Sequence, residues 1–179
     1  MMIETSRLRL LPVALEHADR IEELASDYEL AKTTSNVPHP YPKGGAKDFI
    51  KMVGEKEKKG EIILLSVIEK SSTQLIGLIN ININLTHNRG ELGYWIGVPY
   101  WGKGYGTEAA KALLTYGFEE TGLNRIYAAA YTVNPASWKV MEKIGLEREG
   151  VLKQHLARAG TYYDVVYYGM TRDEYFERS

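Results

Sequence analysis

The 179-residue sequence contains no cysteine. This absence excludes disulfide bonds, metal sites with thiolate ligands and a cysteine nucleophile, so no covalent intermediate can form on a thiol of the protein. The four histidines, at positions 17, 39, 87 and 155, include no pair four residues apart. A helical pair of histidine ligands is therefore absent, and no metal site is predicted.

Strong net charge and long apolar runs are also lacking. The formal net charge is −1, which predicts no direct binding of nucleic acid through its phosphates. No apolar run reaches the ~20 residues that cross a bilayer, and the N-terminus lacks the basic-then-apolar pattern of a secretion signal. We therefore expect a cytoplasmic protein that does not enter membranes, with one domain over residues 1–179.

The hydrophobic pattern changes period along the chain and predicts an α+β fold with a mixed sheet. Helices are predicted over about 14–30, 46–59, 104–121 and 135–144. Strands are predicted over about 3–11, 62–68, 74–85, 91–98, 125–133, 148–157 and 161–170. Pro12 is expected to end the first strand. The three strands between residues 62 and 98 indicate an antiparallel meander.

The segment from Trp101 to Thr107, here called the glycine loop, contains glycine at 102, 104 and 106 between a strand and a helix. Glycines let backbone N–H groups converge on an anion, and a helix N-terminus favours negative charge. Lys103 adds a positive charge. The spacing fits neither G-x-G-x-x-G nor G-K-[ST], so a dinucleotide or nucleoside triphosphate site is not indicated. A tight turn without a ligand remains the alternative.

A second pattern, Asn134-Pro135-Ala136-Ser137, begins the next helix. Asn134 is expected to cap that helix, and its amide can still offer N–H groups to a ligand. Ser137 and Met141 follow on the same helical face. Bonding of the Ser137 hydroxyl to the backbone is the alternative to a functional role.

The order of these elements resembles the GNAT superfamily of acyl-coenzyme A N-acyltransferases over nearly the whole chain. Several segments are similar to the branch that acetylates N-termini of ribosomal proteins. They are Glu4 to Leu10, Leu92 to Ile96, Tyr100 to Tyr105, Asn134 with Ser137 to Gly145, and Gly160 to Val165.

The resemblance implies an acetyl-coenzyme A-dependent N-acetyltransferase whose mixed sheet is splayed at its middle and flanked by about four helices. In the superfamily, the loop binds the coenzyme A pyrophosphate, the preceding strand pairs with the pantetheine, and the asparagine contacts the pantetheine across the gap. The implied cofactor-binding residues are Ile96, Gly97, Val98, Trp101, Gly102, Lys103, Gly104, Tyr105, Gly106, Thr107, Asn134 and Ser137. A backbone N–H of Ile96 or Gly97 is expected to stabilise the oxyanion.

The catalytic groups are less determined. The superfamily often has a tyrosine, acting as acid toward the leaving thiolate, where this chain has Met141. Methionine cannot donate a proton, so Ser137 and a water are the candidates for that role. Glu91 lies where the superfamily often keeps a base; a solvated carboxylate is the alternative. Asp164 and Tyr163 are weaker candidates, and a structural role for Asp164 is favoured.

The favoured acceptor is a peptide or protein N-terminal α-amine, such as the N-terminus of a ribosomal protein. An α-amine has a pKa near ~8 and needs little help to lose its proton. A polyamine, an amino sugar or an amino acid is the alternative acceptor. A non-catalytic acyl-coenzyme A-binding module and a nucleotide-binding protein are the alternatives to an enzyme. Residues 33–45 and 157–161 are expected to shape the acceptor site, and the assembly is a monomer or a homodimer.

Overall fold

The computed structural model describes residues 1–179 and is built around one sheet of eight strands. The strands are Ile3–Glu4 (β1), Leu8–Pro12 (β2), Ile62–Glu69 (β3), Leu75–Asn84 (β4), Arg89–Ile96 (β5), Arg125–Tyr131 (β6), Glu147–Arg158 (β7) and Thr161–Thr171 (β8). Their order in the sheet is β1-β2-β3-β4-β5-β6-β8-β7. Only β5 and β6 are parallel neighbours. The predicted α+β fold with a mixed sheet is confirmed.

Six α-helices are present, where about four were predicted. They are Ala18–Ala25 (α1), Tyr28–Ala31 (α2), Gly45–Lys58 (α3), Tyr105–Glu119 (α4), Pro135–Lys143 (α5) and Arg172–Arg178 (α6). The helix predicted over 14–30 is divided because Asp27 is extended and caps α2, accepting the Glu29 N–H at 2.9 Å. The last helix was not predicted, although Thr171 and Glu174 form a reciprocal capping box.

The single strand predicted over residues 3–11 is a hairpin. β1 pairs antiparallel with β2, with Ile3 opposite Leu10. Pro12 ends β2 as predicted, since it is the last residue of that strand, opposite Leu65 of β3. A proline is tolerated at a strand end because it removes only one N–H from the ladder there.

The sheet is splayed between β5 and β6, as predicted. Their parallel pairing covers only Arg89–Glu91 against Arg125–Tyr127. β5 continues beyond this point paired with β4, and β6 continues paired with β8. The facing edges of the two strands are left with unpaired backbone N–H and C=O groups, which a ligand can satisfy.

Helices cover both faces of the sheet. On one face, α4 packs Leu113 and Phe118 into the main core together with Ile81 of β4. On the other face, Ile21 of α1 packs with Leu64 of β3 in a second cluster that includes α3. None of the helices is both long enough and apolar enough to cross a membrane. The two halves of the splayed sheet are joined by α4, which packs against both β5 and β6.

Candidate active site

The glycine loop makes a tight bend between β5 and α4. Gly102 and Gly104 have φ of 75° and 80°, a left-handed conformation that glycine adopts at little cost. Gly104 is the N-cap of α4, so the unpaired N–H groups of the first helical turn open into the bend. The bend therefore has the geometry of an anion site at a helix start.

Arg7 ties the glycine loop to the N-terminal hairpin. Its guanidinium donates to the Lys103 carbonyl at 2.8 Å and pairs with the Glu108 carboxylate at 2.8 Å. It also lies 4.3 Å from the ring centroid of Tyr105. The Thr5 hydroxyl donates to the same Glu108 carboxylate at 2.5 Å. These contacts connect the N-terminal motif to the loop, a connection that the sequence pattern did not predict.

A groove of about 540 Å³ extends from the glycine loop to the gap between β5 and β6. Nine of the predicted cofactor-binding residues line it: Ile96, Trp101, Gly102, Gly104, Tyr105, Gly106, Thr107, Asn134 and Ser137. Gly97, Val98 and Lys103 do not line the groove. The strand was predicted to continue to Val98, but β5 ends at Ile96 and Val98 begins a short 3-10 helix.

Of the two N–H groups expected to face the reacting carbonyl, that of Gly97 is already engaged. It donates to the Ile76 carbonyl of β4 at 2.7 Å. Successive residues of a strand direct their backbone groups to opposite edges. Ile96 therefore points its groups toward the gap, where its carbonyl accepts the Trp101 indole N–H at 2.7 Å. The Ile96 N–H is the donor that remains available on that side.

Positive charge reaches the groove from α5. Lys139 and Lys143 are one helical turn apart and line the groove. Lys103, the predicted source of charge, lies instead with its Nζ 5.8 Å from the Tyr100 ring centroid. Lys139 and Lys143 are four residues apart and therefore share one face of α5. This spacing is visible in the sequence and could have predicted the positive side of the groove.

Asn134 is the N-cap residue of α5 as predicted, but its side chain makes no capping hydrogen bond. Its amide Nδ2 instead donates to the Thr33 carbonyl at 3.3 Å. This bond joins α5 to the segment between α2 and α3. Because Asn134 lines the groove, its amide is also in reach of a ligand bound there.

A second cavity of about 350 Å³, here called the inner cavity, adjoins the groove. Five residues line both: Thr33, Thr34, Tyr94, Ser137 and Val140. A thioester in the groove and an amine in the inner cavity would meet at this shared wall, where proximity promotes reaction. Glu91 and Ser137, the two predicted catalytic residues, both line the inner cavity.

Of the two segments expected to shape the acceptor site, only the first lines the inner cavity, through Thr33 to Asn36. No residue from 157 to 161 lines it, and the lining residue of β7 is Leu156, one position before that segment. Arg158 joins these segments by donating to the carbonyls of Thr34 at 2.6 Å and Val37 at 2.9 Å. The wall of the inner cavity is therefore fixed by a side chain from the β7–β8 hairpin.

Glu91 is half-buried on β5 and is the only charged side chain that lines the inner cavity. Its carboxylate accepts a hydrogen bond from the Tyr127 hydroxyl at 3.1 Å. Burial, followed by the Glu91 charge, raises the pKa of Tyr127, so that hydroxyl remains a donor. Burial and the same carboxylate raise the pKa of Tyr167, which also lines the inner cavity. The Glu91 carboxylate is thus oriented by the Tyr127 hydroxyl and lies close to a second tyrosine, Tyr167.

Tyr94 is a functional candidate that the sequence reasoning missed. It lines both the groove and the inner cavity. Burial raises the pKa of Tyr94 to about 12, and the neighbouring Ser137 hydroxyl opposes that rise. Its ring packs on Gly106, where an added Cβ would lie 2.9 Å from a ring carbon. Tyr94 therefore places a protonated hydroxyl beside Ser137 at the shared wall.

The remaining candidates, Met141, Asp164 and Tyr163, show contacts typical of structural residues. Met141 is 4% exposed in the main core and lines the inner cavity, where its thioether has no proton to donate. The Asp164 carboxylate accepts the Gln154 N–H at 2.8 Å and lines neither cavity. Tyr163 also lies outside both linings, with its ring centroid 4.7 Å from that of Tyr131.

Known proteins show the same architecture. Residues 7–147 match the family described as acetyltransferase (GNAT) domain. The chain is 33% identical over 172 residues to the uncharacterized N-acetyltransferase p20 of Bacillus licheniformis, covering 96% of each chain. It is 38% identical over 102 residues, 56% of each chain, to the putative ribosomal N-acetyltransferase YdaF of Bacillus subtilis. A solved structure of RimL, a ribosomal L7/L12 α-N-protein acetyltransferase in complex with coenzyme A, shares the fold with a TM-score of 0.88 at 18% identity, covering 96% of this chain and 98% of that one.

Proposed function

Because the chain belongs to the acetyltransferase (GNAT) family and is an acetyl-coenzyme A-dependent N-acetyltransferase, we propose that its acceptor is the α-amine of a peptide or protein N-terminus. The observation that carries this proposal is the charge of the inner cavity, where Glu91 is the only charged lining residue. One carboxylate complements one ammonium group. A polyamine would bring further ammonium groups into a cavity that has no partner for them, which is unfavourable.

The walls of the inner cavity are compatible with a small first residue. Ala128, Ala129 and Ala130 of β6 and Ala110 of α4 line it, and their short side chains leave room for the side chain of an N-terminal alanine or serine. The relative YdaF is named as a putative ribosomal N-acetyltransferase, which supports a ribosomal protein N-terminus as the acceptor. The proposal includes a cytoplasmic location, where such N-termini are made.

The residues have distinct roles in this proposal. The glycine loop and the lysines of α5 hold the phosphates, and the edges of β5 and Asn134 hold the pantetheine. Glu91 attracts the ammonium group and accepts its proton, directly or through water. The Ile96 N–H stabilises the oxyanion as the N–C bond forms. Ser137 and Tyr94 donate hydrogen bonds to the sulfur as the C–S bond breaks, and the second proton of the attacking nitrogen passes through water to the departing thiolate. The absence of cysteine supports direct transfer without an acetylated enzyme.

A panel of acceptors tests the proposed class. Peptides beginning with Ser, Ala or Met are expected to exceed spermidine, glucosamine and free amino acids in kcat/KM by about tenfold or more. Spermidine brings further ammonium groups for which the inner cavity has no second carboxylate, and a free amino acid brings a carboxylate for which it has no cation. The hydroxyl groups of glucosamine would face the alanine walls. With peptides, kcat/KM should rise from about pH 6 to 8 and then level off as the α-amine becomes neutral. If any small amine is used better than every peptide, the proposed acceptor is wrong.

Glu91→Gln should lower kcat/KM for a peptide by roughly 10- to 100-fold at pH 7, because the charge that attracts the ammonium group and the base are both removed. The loss should shrink at about pH 9, where most of the α-amine is already neutral. Steady-state rates across this pH range measure the effect. Glu149→Gln is the control, because Glu149 pairs with Arg125 and lines neither cavity. An equal loss at both pH values would contradict the base role.

A further inference from the structure

The hydroxyl of Tyr131 is buried without a hydrogen-bond partner. Tyr131 is the last residue of β6, is 5% exposed and lines the inner cavity. Its oxygen is the one buried side-chain polar atom of the protein that lacks a partner. Buried hydroxyls are normally paired, because an unpaired one gives up its bonds to water without replacement. An unpaired hydroxyl on a cavity residue therefore points to a ligand contact.

Tyr131 and Glu91 lie at different positions along the inner cavity, and their separation can be measured along β6. Glu91 is paired with Tyr127, and Tyr131 is four residues further along the same strand. At about 3.3 Å per residue these two positions of β6 are about 13 Å apart. The three alanines between them line the cavity. An extended chain of about four residues spans that distance.

The surroundings of Tyr131 suit a neutral partner that accepts a hydrogen bond. Burial raises the pKa of Tyr131, although the Arg158 charge opposes this, so the hydroxyl keeps its proton and can donate. No cationic side chain lines the inner cavity. The Arg158 guanidinium is bound to the carbonyls of Thr34 and Val37. A carboxylate at Tyr131 would thus have no cation on the cavity wall, whereas a peptide carbonyl needs none.

We propose that the Tyr131 hydroxyl donates a hydrogen bond to a backbone carbonyl oxygen of the acceptor peptide. The inner cavity then recognises two features at once, an ammonium group at Glu91 and a peptide group several residues downstream. Tyr131 is in this way a specificity-determining residue that favours peptides over small amines. The inference rests on the proposed function, because it assumes that the acceptor is a peptide.

A length series of acceptors tests the contact in the intact protein. The substrates are alanine amide and the di-, tri- and tetra-alanine amides, which share one α-amine and differ in the number of carbonyls. In the wild type, kcat/KM should rise by about tenfold at the length that brings a carbonyl to Tyr131, within the first four residues. In Tyr131→Phe that step should disappear, while kcat/KM for alanine amide stays unchanged. The thermal midpoint of Tyr131→Phe should equal or exceed that of the wild type, because no internal hydrogen bond is lost.

Tyr168→Phe is the matched control. Tyr168 is 3% exposed, but its hydroxyl donates to Glu142 at 3.2 Å and it lines neither cavity. This variant should lose thermal stability and keep the length step, the opposite of the result expected for Tyr131→Phe.

Retention of the length step in Tyr131→Phe would overturn the inference while leaving the peptide acceptor in place. A loss of stability in Tyr131→Phe with the step intact would assign the hydroxyl to structure and overturn it as well. If the wild type itself prefers small amines to every peptide, the proposed function fails and the inference falls with it. The wild-type series alone identifies that last case.

Discussion

Gly104→Val is expected to weaken acetyl-coenzyme A binding by at least about 100-fold, roughly 2.7 kcal/mol. Gly104 has φ of 80° and caps the N-terminus of α4. A β-branched residue is strongly disfavoured in this left-handed conformation, because its Cβ crowds the following carbonyl. The bend must therefore change shape, and the N–H groups of the first turn would no longer converge on one phosphate. Titration calorimetry with coenzyme A measures the loss.

Gly150→Val is the matched control for this substitution. Gly150 has no positive φ, and a Cβ added there would meet no atom within 4 Å. The Gly150→Val protein should bind coenzyme A with the affinity of the wild type. Circular dichroism would establish that both variants are folded. A folded Gly104→Val protein with wild-type affinity would show that the glycine loop does not bind the phosphates.

Ser137→Ala should lower kcat by about 10- to 1,000-fold, the range for removing one hydrogen-bond donor at a reacting centre. Ser137 is on the wall shared by the groove and the inner cavity, beside Tyr94. The dissociation constant for coenzyme A should change far less, because the glycine loop, where we propose that the phosphates bind, lies at the other end of the groove. Single-turnover rates and calorimetry separate the two quantities.

Tyr94→Phe distinguishes a shared role from two independent ones. The substitution removes the hydroxyl but keeps the ring that packs on Gly106. If Tyr94 and Ser137 act as one unit, each single variant should lose about as much kcat as the double variant. A thiol has a pKa near ~8.5, well below the pKa of about 12 for Tyr94. Full proton transfer to the thiolate is therefore uphill, and donation of a hydrogen bond is expected. Because Tyr94 stays protonated up to about pH 11, it should cause no decline in kcat below that pH.

Ser26→Ala is the control for Ser137→Ala. The Ser26 hydroxyl donates to the Glu22 carbonyl at the end of α1 and lines neither cavity. Its kcat should match the wild type. An unchanged kcat in Ser137→Ala would assign protonation of the thiolate to solvent and the serine to the structure of α5.

Local patterns in the sequence predicted most of the fold. The apolar strand starting at Ile62, the alternation of β4 and the glycine that follows α4 each specify an element within a short window. The N-terminal hairpin was missed because β1 has two residues, too few to show a period. The division at Asp27 and the start of α6 at Thr171 depend on caps, which hydrophobic periodicity does not report.

The candidate site was predictable only where one segment contains the whole feature. The bend at Gly104 is such a case, because its residues are contiguous. Arg7 and Tyr94 were missed since their partners lie in distant segments of the chain. The engaged N–H of Gly97 depends on the register of β5 against β4, which a sequence does not contain. Tyr131 was missed because an unpaired hydroxyl is defined by all of its neighbours together.

The bond between Arg7 and Glu108 has a consequence for how the protein folds. The two residues are 101 positions apart in the chain. Bringing them together closes a long loop, which costs chain entropy and makes this a late, non-local contact in folding. The anion site therefore becomes fully organised only after the N-terminal hairpin has docked on the sheet. Ligand bound at the loop would in turn protect that hairpin from local unfolding, because it binds the docked form in preference to the undocked one. We therefore expect the first strands of the chain and the proposed cofactor site to unfold together as one cooperative unit.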